Sequence, residues 1–333
     1  MAARSSALPG AAMEPYHLYH AEAHVLSGFL KHPVDQPIEH HALAVLKDRK
    51  KDDHITQTVE ETSVEGVVSF KSGHSRVSGS KIQKRDLWGK DHSGWITLST
   101  SVIEGLNVFE VITADRVVSQ VASEHRMMKD PKTGKDVPSH VPIVTFLGTR
   151  FENLRVAGYP VDVELDFNFC GEKPDRDRSY LDERSFLDRV HRQADGIARA
   201  KGAPDELAKG YRNKATSIDE IRKGNWYPKG DGNDYPKVEC SLVKRIGEIP
   251  LPGVKVYGNV IFIPDFGTVS LAEVEVGDKP EPGALVAVKG GKNKSNGNAS
   301  HYFTITMLNM RLGCIGGGNI KVGGGTVNGH TKP

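Results

Sequence analysis

Apolar and polar positions alternate along most of this chain in short runs, the signature of half-buried strands. The run "HLYHAEAHVLSGFL" (17–30) is followed by "HALAVLKD" (41–48), "SVEGVVSFKS" (63–72), "GWITLSTSV" (94–102) and "GLNVFEVITADRVVSQVASEH" (105–125). The segment "VPIVTFLGTRFENLRVAGYPVDVELDFNF" (141–169) supplies two or three more. Turn residues punctuate these runs about every ten residues, a spacing that suits a sandwich or barrel. Strands resume in "KVECSLVKRIG" (237–247), "VKVYGNVIFIPDFGTVSLAEVEVG" (254–277) and "HYFTITMLNMRLGCIG" (301–316). The last of these carries apolar residues on both faces, which predicts a central strand.

One stretch changes period. In residues 184–213, Phe186, Leu187, Val190, Ala194, Ile197 and Ala198 recur at helical spacing. Gly202 suits a helix C-terminus, and Pro204, Asp205 and Glu206 suit the start of a second helix. Ser217 and Glu220 have the spacing of a capping box for a further short turn. The predicted class is therefore mainly β, an antiparallel β-sandwich or barrel with an inserted helical hairpin. Residues 15–170 and 237–316 form the β domain and 175–228 the helical insertion. Residues 1–14 are expected to be a flexible lead-in. The tail 317–333, with its two glycine triplets, is expected to be flexible as well. The hairpin's narrow apolar stripe is expected to cover its own sheet or a neighbouring subunit, so homo-oligomerisation is expected.

Three short units look alike: "VEGVVSF" (64–70), "IEGLNVF" (103–109) and "VYGNVIF" (256–262) each place Phe four residues after Gly. A repeated strand module with Gly at a bulge would explain them. The segments "TRFENLRVAGYPV", "IPDFGTVSLAEVEV" and "TITMLNMRLGC" resemble an uncharacterised group of bacterial all-β proteins. That resemblance implies a β fold and no activity.

Composition narrows the function classes. The 333 residues balance 44 Lys and Arg against 42 Asp and Glu, a formal net charge of +2, so nothing marks a nucleic-acid binder. The one basic stretch, "SKIQKRDLWGK" (80–90), reads as a solvated hairpin tip. No apolar run approaches the roughly 18 residues of a membrane span. The N-terminal stretch has no signal-like apolar core, so the cytoplasm is the expected compartment. Cys170, Cys240 and Cys314 lie far apart with no CxxC pair, and are expected to be small buried hydrophobes. Nucleophile elbow, P-loop, HExxH and dinucleotide fingerprints do not occur.

One constellation stands out. In "YHLYHAEAHV" (16–25), His20, Glu22 and His24 are two residues apart and share one face of a strand. Two imidazoles and a carboxylate form a donor set for zinc or iron, and cupin-type barrels place an HxH pair on a strand in this way. His40, His41 and His54 are the residues that neighbouring strands would bring up. The plain alternative is a solvated strand face. Clustered histidines also suggest pH sensing. Asp162, Glu164 and Asp166 alternate on a strand in the manner of a calcium edge or a glycosidase pair, with an amphipathic strand as the simpler account. Three functions follow: a non-enzymatic β-rich protein that binds a protein partner or self-assembles, a metal-dependent enzyme using His20, Glu22 and His24 with Fe or Zn, and a carbohydrate-binding module stacking glycans on Trp88, Trp95 and Trp226.

Overall fold

The computed structural model describes residues 15–32, 35–85, 91–174, 178–224, 235–280, 299–313 and 317–332. The chain opens with β1 (Tyr16–Leu30), β2 (Gln36–His41) and β3 (Ala44–Arg49). It then builds β4 (Asp53–Val59), β5 (Thr62–Val64), β6 (Val68–Phe70), β7 (Ser72–Arg85), β8 (Asp91–Val108) and β9 (Ile112–Lys129). Short strands β10 (Asp136–Pro138), β11 (Ile143–Thr145), β12 (Arg150–Glu152), β13 (Arg155–Val156), β14 (Tyr159–Pro160) and β15 (Val163–Leu165) follow. After a 3₁₀ turn at Tyr180–Asp182 come helices α1 (Arg184–Ala198) and α2 (Asp205–Arg222). The chain ends in β16 (Lys237–Ser241), β17 (Val243–Ile246), β18 (Lys255–Tyr257), β19 (Val260–Ile263), β20 (Gly267–Pro280), β21 (Ala299–Leu312) and β22 (Gly318–Lys332).

Two large antiparallel sheets pack together. The first has the order β18-β19-β20-β21-β22-β1-β2, with β16 also on β20 and β3 also on β1. The second runs β14-β13-β9-β8-β6-β5, with β7 joining β8 to β4 and β10, β11 and β12 lying along β9. The predicted central strand is central: β21 lies between β20 and β22, and Phe303, Ile305, Met307, Leu308 and Met310 are fully buried.

Small residues let the sheets approach closely. Ser99 and Ser101 of β8 donate hydroxyl hydrogen bonds across the interface to the carbonyls of Glu22 (2.7 Å) and His24 (2.8 Å) of β1. A Cβ at Gly325 would stand 2.8 Å from Ser99 Oγ, so any larger residue there would push that hydroxyl aside.

The glycine-rich C-terminus corrects the expectation of a flexible tail. Residues 318–332 form a strand paired along its length with β1 on one side and β21 on the other. Two of its glycines lie under rings of the neighbouring strand. A Cβ at Gly324 would come 2.2 Å from the His24 ring, and one at Gly329 would come 2.4 Å from His17 Nε2. The rings shield the glycine backbone, and Ile320, Val322 and Val327 are fully buried. The lead-in 1–14 lies outside the described residues.

The helical hairpin forms as expected, and α1 buries the same six residues that its spacing singled out. It covers its own sheet. The Gln193 side-chain amide donates to the Ser241 carbonyl (3.1 Å) and accepts from the Ser241 amide (2.8 Å), taking the place of a strand partner at the end of β16. Lys214 of α2 forms an ion pair with Glu239 of β16 at 2.6 Å. Ser217 starts no new turn, because α2 continues from Asp205 to Arg222.

The three look-alike units are not one module. Gly66 (φ 65°) lies in the β5–β6 turn and Gly258 (φ 59°) in the β18–β19 turn, whereas Gly105 (φ 64°) lies inside β8. Their common feature is a left-handed backbone position, which favours glycine.

Candidate metal centre

Strand β1 alternates as its sequence predicts. His17, Tyr19, Ala21, Ala23 and Val25 are buried, while His20, Glu22 and His24 are half-buried on the opposite face. The free edge of β1 is shared. Residues 19–23 pair with β3, and residues 26–30 pair with β2. The segment read as one strand, "HALAVLKD", is therefore broken at Ala42, whose φ of 48° turns the chain from β2 into β3. His24 faces the gap where one partner hands over to the other.

Each edge strand is irregular where it passes the donor face. The register of β2 shifts between Leu26 and Gly28, where Glu39 and His40 oppose Ser27. The register of β3 shifts between Tyr19 and Ala21, beside Asp48 with its φ of 50°. Bulges of this kind re-aim side chains. The first brings the His40 ring edge-on to His24 with centroids 4.5 Å apart. The second brings Asp48 Oδ1 to 3.8 Å from His20 Nδ1.

One donor atom each from Glu22, His24 and His40 lies within 4.8 Å of the other two. His24 is held at several points. Its ring lies over Gly324, and Nε2 is 3.1 Å from Ser27 Oγ. Its Nδ1 is buried without a hydrogen-bond partner and stands 3.9 Å from Glu22 Oε1. In the tautomer that carries its proton on Nε2, the ring donates to Ser27 Oγ and leaves the Nδ1 lone pair available, an outer-shell arrangement that orients metal-ligating imidazoles. Burial pushes the His24 pKa down to about 4, and His40 and Lys321 act in the same direction. The ring is thus in the neutral form a metal requires. The His20 pKa is also lowered, chiefly by burial, with Asp48 and Glu22 opposing and Lys279 and Lys47 adding to the shift.

The structure therefore joins two of the three sequence-chosen residues, Glu22 and His24, with His40, and sets His20 beside Asp48. His41 packs edge-on to Phe70, and His54 lies on β4 of the other sheet. The two-residue spacing of His20, Glu22 and His24 marked β1, but no spacing along the chain marks a bulge on β2, so only the pair "HH" at 40–41 hinted at the third donor.

The other candidates resolve into structure. Cys170 and Cys240 are buried free thiols, and burial pushes the Cys170 pKa up to about 12, which leaves it inert at neutral pH. Cys314 lies outside the described residues. Glu164 of β15 pairs with Lys244 (2.6 Å) and Asp162, just before it, with Arg245 (3.1 Å), so both carboxylates are engaged in exposed ion pairs. Trp95 is a core residue at 6% exposure, and Trp88 and Trp226 lie outside the described residues. No helix among the described residues is long and apolar enough to cross a membrane.

Fold and site together define a two-sheet β protein with an inserted helical pair and an open His/Glu donor group on one sheet face. The chain belongs to the family described as a domain of unknown function, DUF8256, whose profile matches residues 17–277. No curated protein and no solved structure matches it.

Proposed function

We propose that this protein is a non-catalytic binding domain whose first ligand is a divalent transition metal, held by Glu22, His24 and His40. The observation that carries the reading is the buried, unpartnered Nδ1 of His24, fixed from behind by Ser27 and grouped with two further donors. A buried polar nitrogen without a partner costs about 1–3 kcal/mol, and a metal ion relieves that cost. Two imidazoles and one carboxylate favour zinc or ferrous iron over calcium and magnesium, which prefer all-oxygen shells.

The donors lie on an outer sheet face with His40 exposed, unlike the enclosed ligands of a cupin barrel. That setting favours binding over catalysis. The mechanical consequence is a cross-link: the ion ties β2 to β1 where β1 changes edge partners. Calorimetric titration of chelator-treated protein with Zn²⁺ tests the reading. Wild type should bind zinc, and His24→Ala and His40→Ala should each remove that binding event while remaining folded. Binding at wild-type affinity in both variants would refute it.

A further inference from the structure

We infer that an ion held by Glu22, His24 and His40 keeps one coordination position open to solvent and takes a carboxylate ligand there, with Lys321 donating to the ligand's second oxygen. The inference rests on the metal site proposed above and deepens it by naming what that site binds. Three donors gather among the described residues. Zinc is most often four-coordinate, and sites with three protein ligands keep the fourth position for water or another ligand. Glu22 and His24 are half-buried and His40 is exposed, all on an outer sheet face, so the fourth position faces solvent.

The strand next to β1 sets a cation beside this position. Lys321 of β22 pairs directly with Ser27, whose hydroxyl contacts His24 Nε2. Directly opposed residues of antiparallel strands share a face, with Cβ atoms about 4.5–5.5 Å apart. Ile320 and Val322 are fully buried on the inner face, so Lys321 stands on the outer face with Ser27 and His24. Its ammonium is near enough to help lower the His24 pKa. Lys321 is exposed and forms no ion pair among the described residues, so its charge is available to a ligand. Charge then selects the class. Glu39, also exposed, opposes Ser27 from β2. A divalent ion, Glu22, Glu39 and Lys321 together leave one positive charge, which a monoanion neutralises and a phosphate dianion overshoots. A carboxylate has one oxygen for the ion and one for a charge-assisted hydrogen bond from the ammonium.

Cobalt(II) in place of zinc tests the inference, because its visible absorption reports its ligands. Chelator-treated full-length protein is loaded with one equivalent of Co²⁺ and titrated with sodium acetate, and separately with inorganic phosphate at the same ionic strength. Acetate should change the spectrum along a saturable curve. Lys321→Met should weaken acetate about three- to fivefold, the size of an exposed charge pair. Its Co²⁺ affinity should hold or rise, because a nearby positive charge is gone. Damage to the fold would lower both affinities, so the opposed signs isolate the lysine. An acetate-insensitive spectrum in Co²⁺-loaded wild type would overturn the open position and leave the metal site standing. Unchanged acetate affinity in Lys321→Met, or a fall in both affinities, would overturn the role of the lysine. Phosphate binding more tightly than acetate would overturn the carboxylate assignment. Failure of wild type to bind Co²⁺ would overturn the metal site and this inference together.

Discussion

Replacing Gly324 with alanine should cost the protein its metal affinity while costing little stability. The new Cβ would stand 2.2 Å from His24 Cε1 and 2.3 Å from Nε2. Ordinary carbon contacts lie at about 3.5–4.0 Å, so the ring must retreat by more than about 1 Å. That retreat breaks the 3.1 Å contact between Nε2 and Ser27 and carries Nδ1 away from Glu22 and His40. Loss of an orienting partner typically lowers metal affinity about 10–100-fold, and this variant should reach at least that range. Stability should change by about 1 kcal/mol or less, because a movable ring yields and alanine reduces unfolded-state entropy. Gly325→Ala is the control. Its Cβ points to the other face, 2.8 Å from Ser99 Oγ, so it should lower stability and spare zinc binding. Calorimetry and urea denaturation on both variants separate the two effects. Wild-type zinc affinity in Gly324→Ala would refute the argument that His24 is fixed from behind by this glycine.

Deleting residues 318–332 should prevent folding, because Ile320, Val322 and Val327 are fully buried and represent about 5–9 kcal/mol of burial, comparable to a typical net stability; a deletion variant with a cooperative unfolding transition would contradict this. Ser119→Ala should stabilise by about 1 kcal/mol in urea denaturation, since the buried hydroxyl has no hydrogen-bond partner, and a loss of stability would show that it has one. Burial pushes the Glu239 carboxyl upward, but Lys214, hydrogen-bonded to it, and Lys237 outweigh this and hold it below the ordinary carboxylate value. Its stabilising effect is therefore present above the ordinary carboxylate pKa and lost as pH falls through the lower folded value. Glu239→Gln should cost about 1 kcal/mol at pH 7, discounted because 43% of the side chain is exposed, and should flatten the acid limb of stability against pH; an unchanged acid limb would remove the pair from the account.

The alternation of "HLYHAEAHV" was sufficient to put His20, Glu22 and His24 on one face, because side-chain direction in a strand depends only on parity. The hairpin was readable for a similar reason, as its six apolar residues fall on one helical stripe. The tail was not. Gly323, Gly324 and Gly325 carry no side chains to alternate, and the His24 ring that covers Gly324 belongs to a strand about 300 residues earlier. The third donor was equally hidden. Ala42 splits an apparently continuous strand, and the register shift of β2 that aims His40 depends on pairing with β1, a contact that local pattern does not encode.

The most direct test is the X-ray absorption spectrum of the protein loaded with one equivalent of zinc. The account predicts a shell of nitrogen and oxygen donors only, at about 2.0–2.1 Å, with the outer-shell scattering of two imidazoles. A shell containing sulfur, or one without imidazole scattering, would place the metal elsewhere and contradict the assignment of Glu22, His24 and His40.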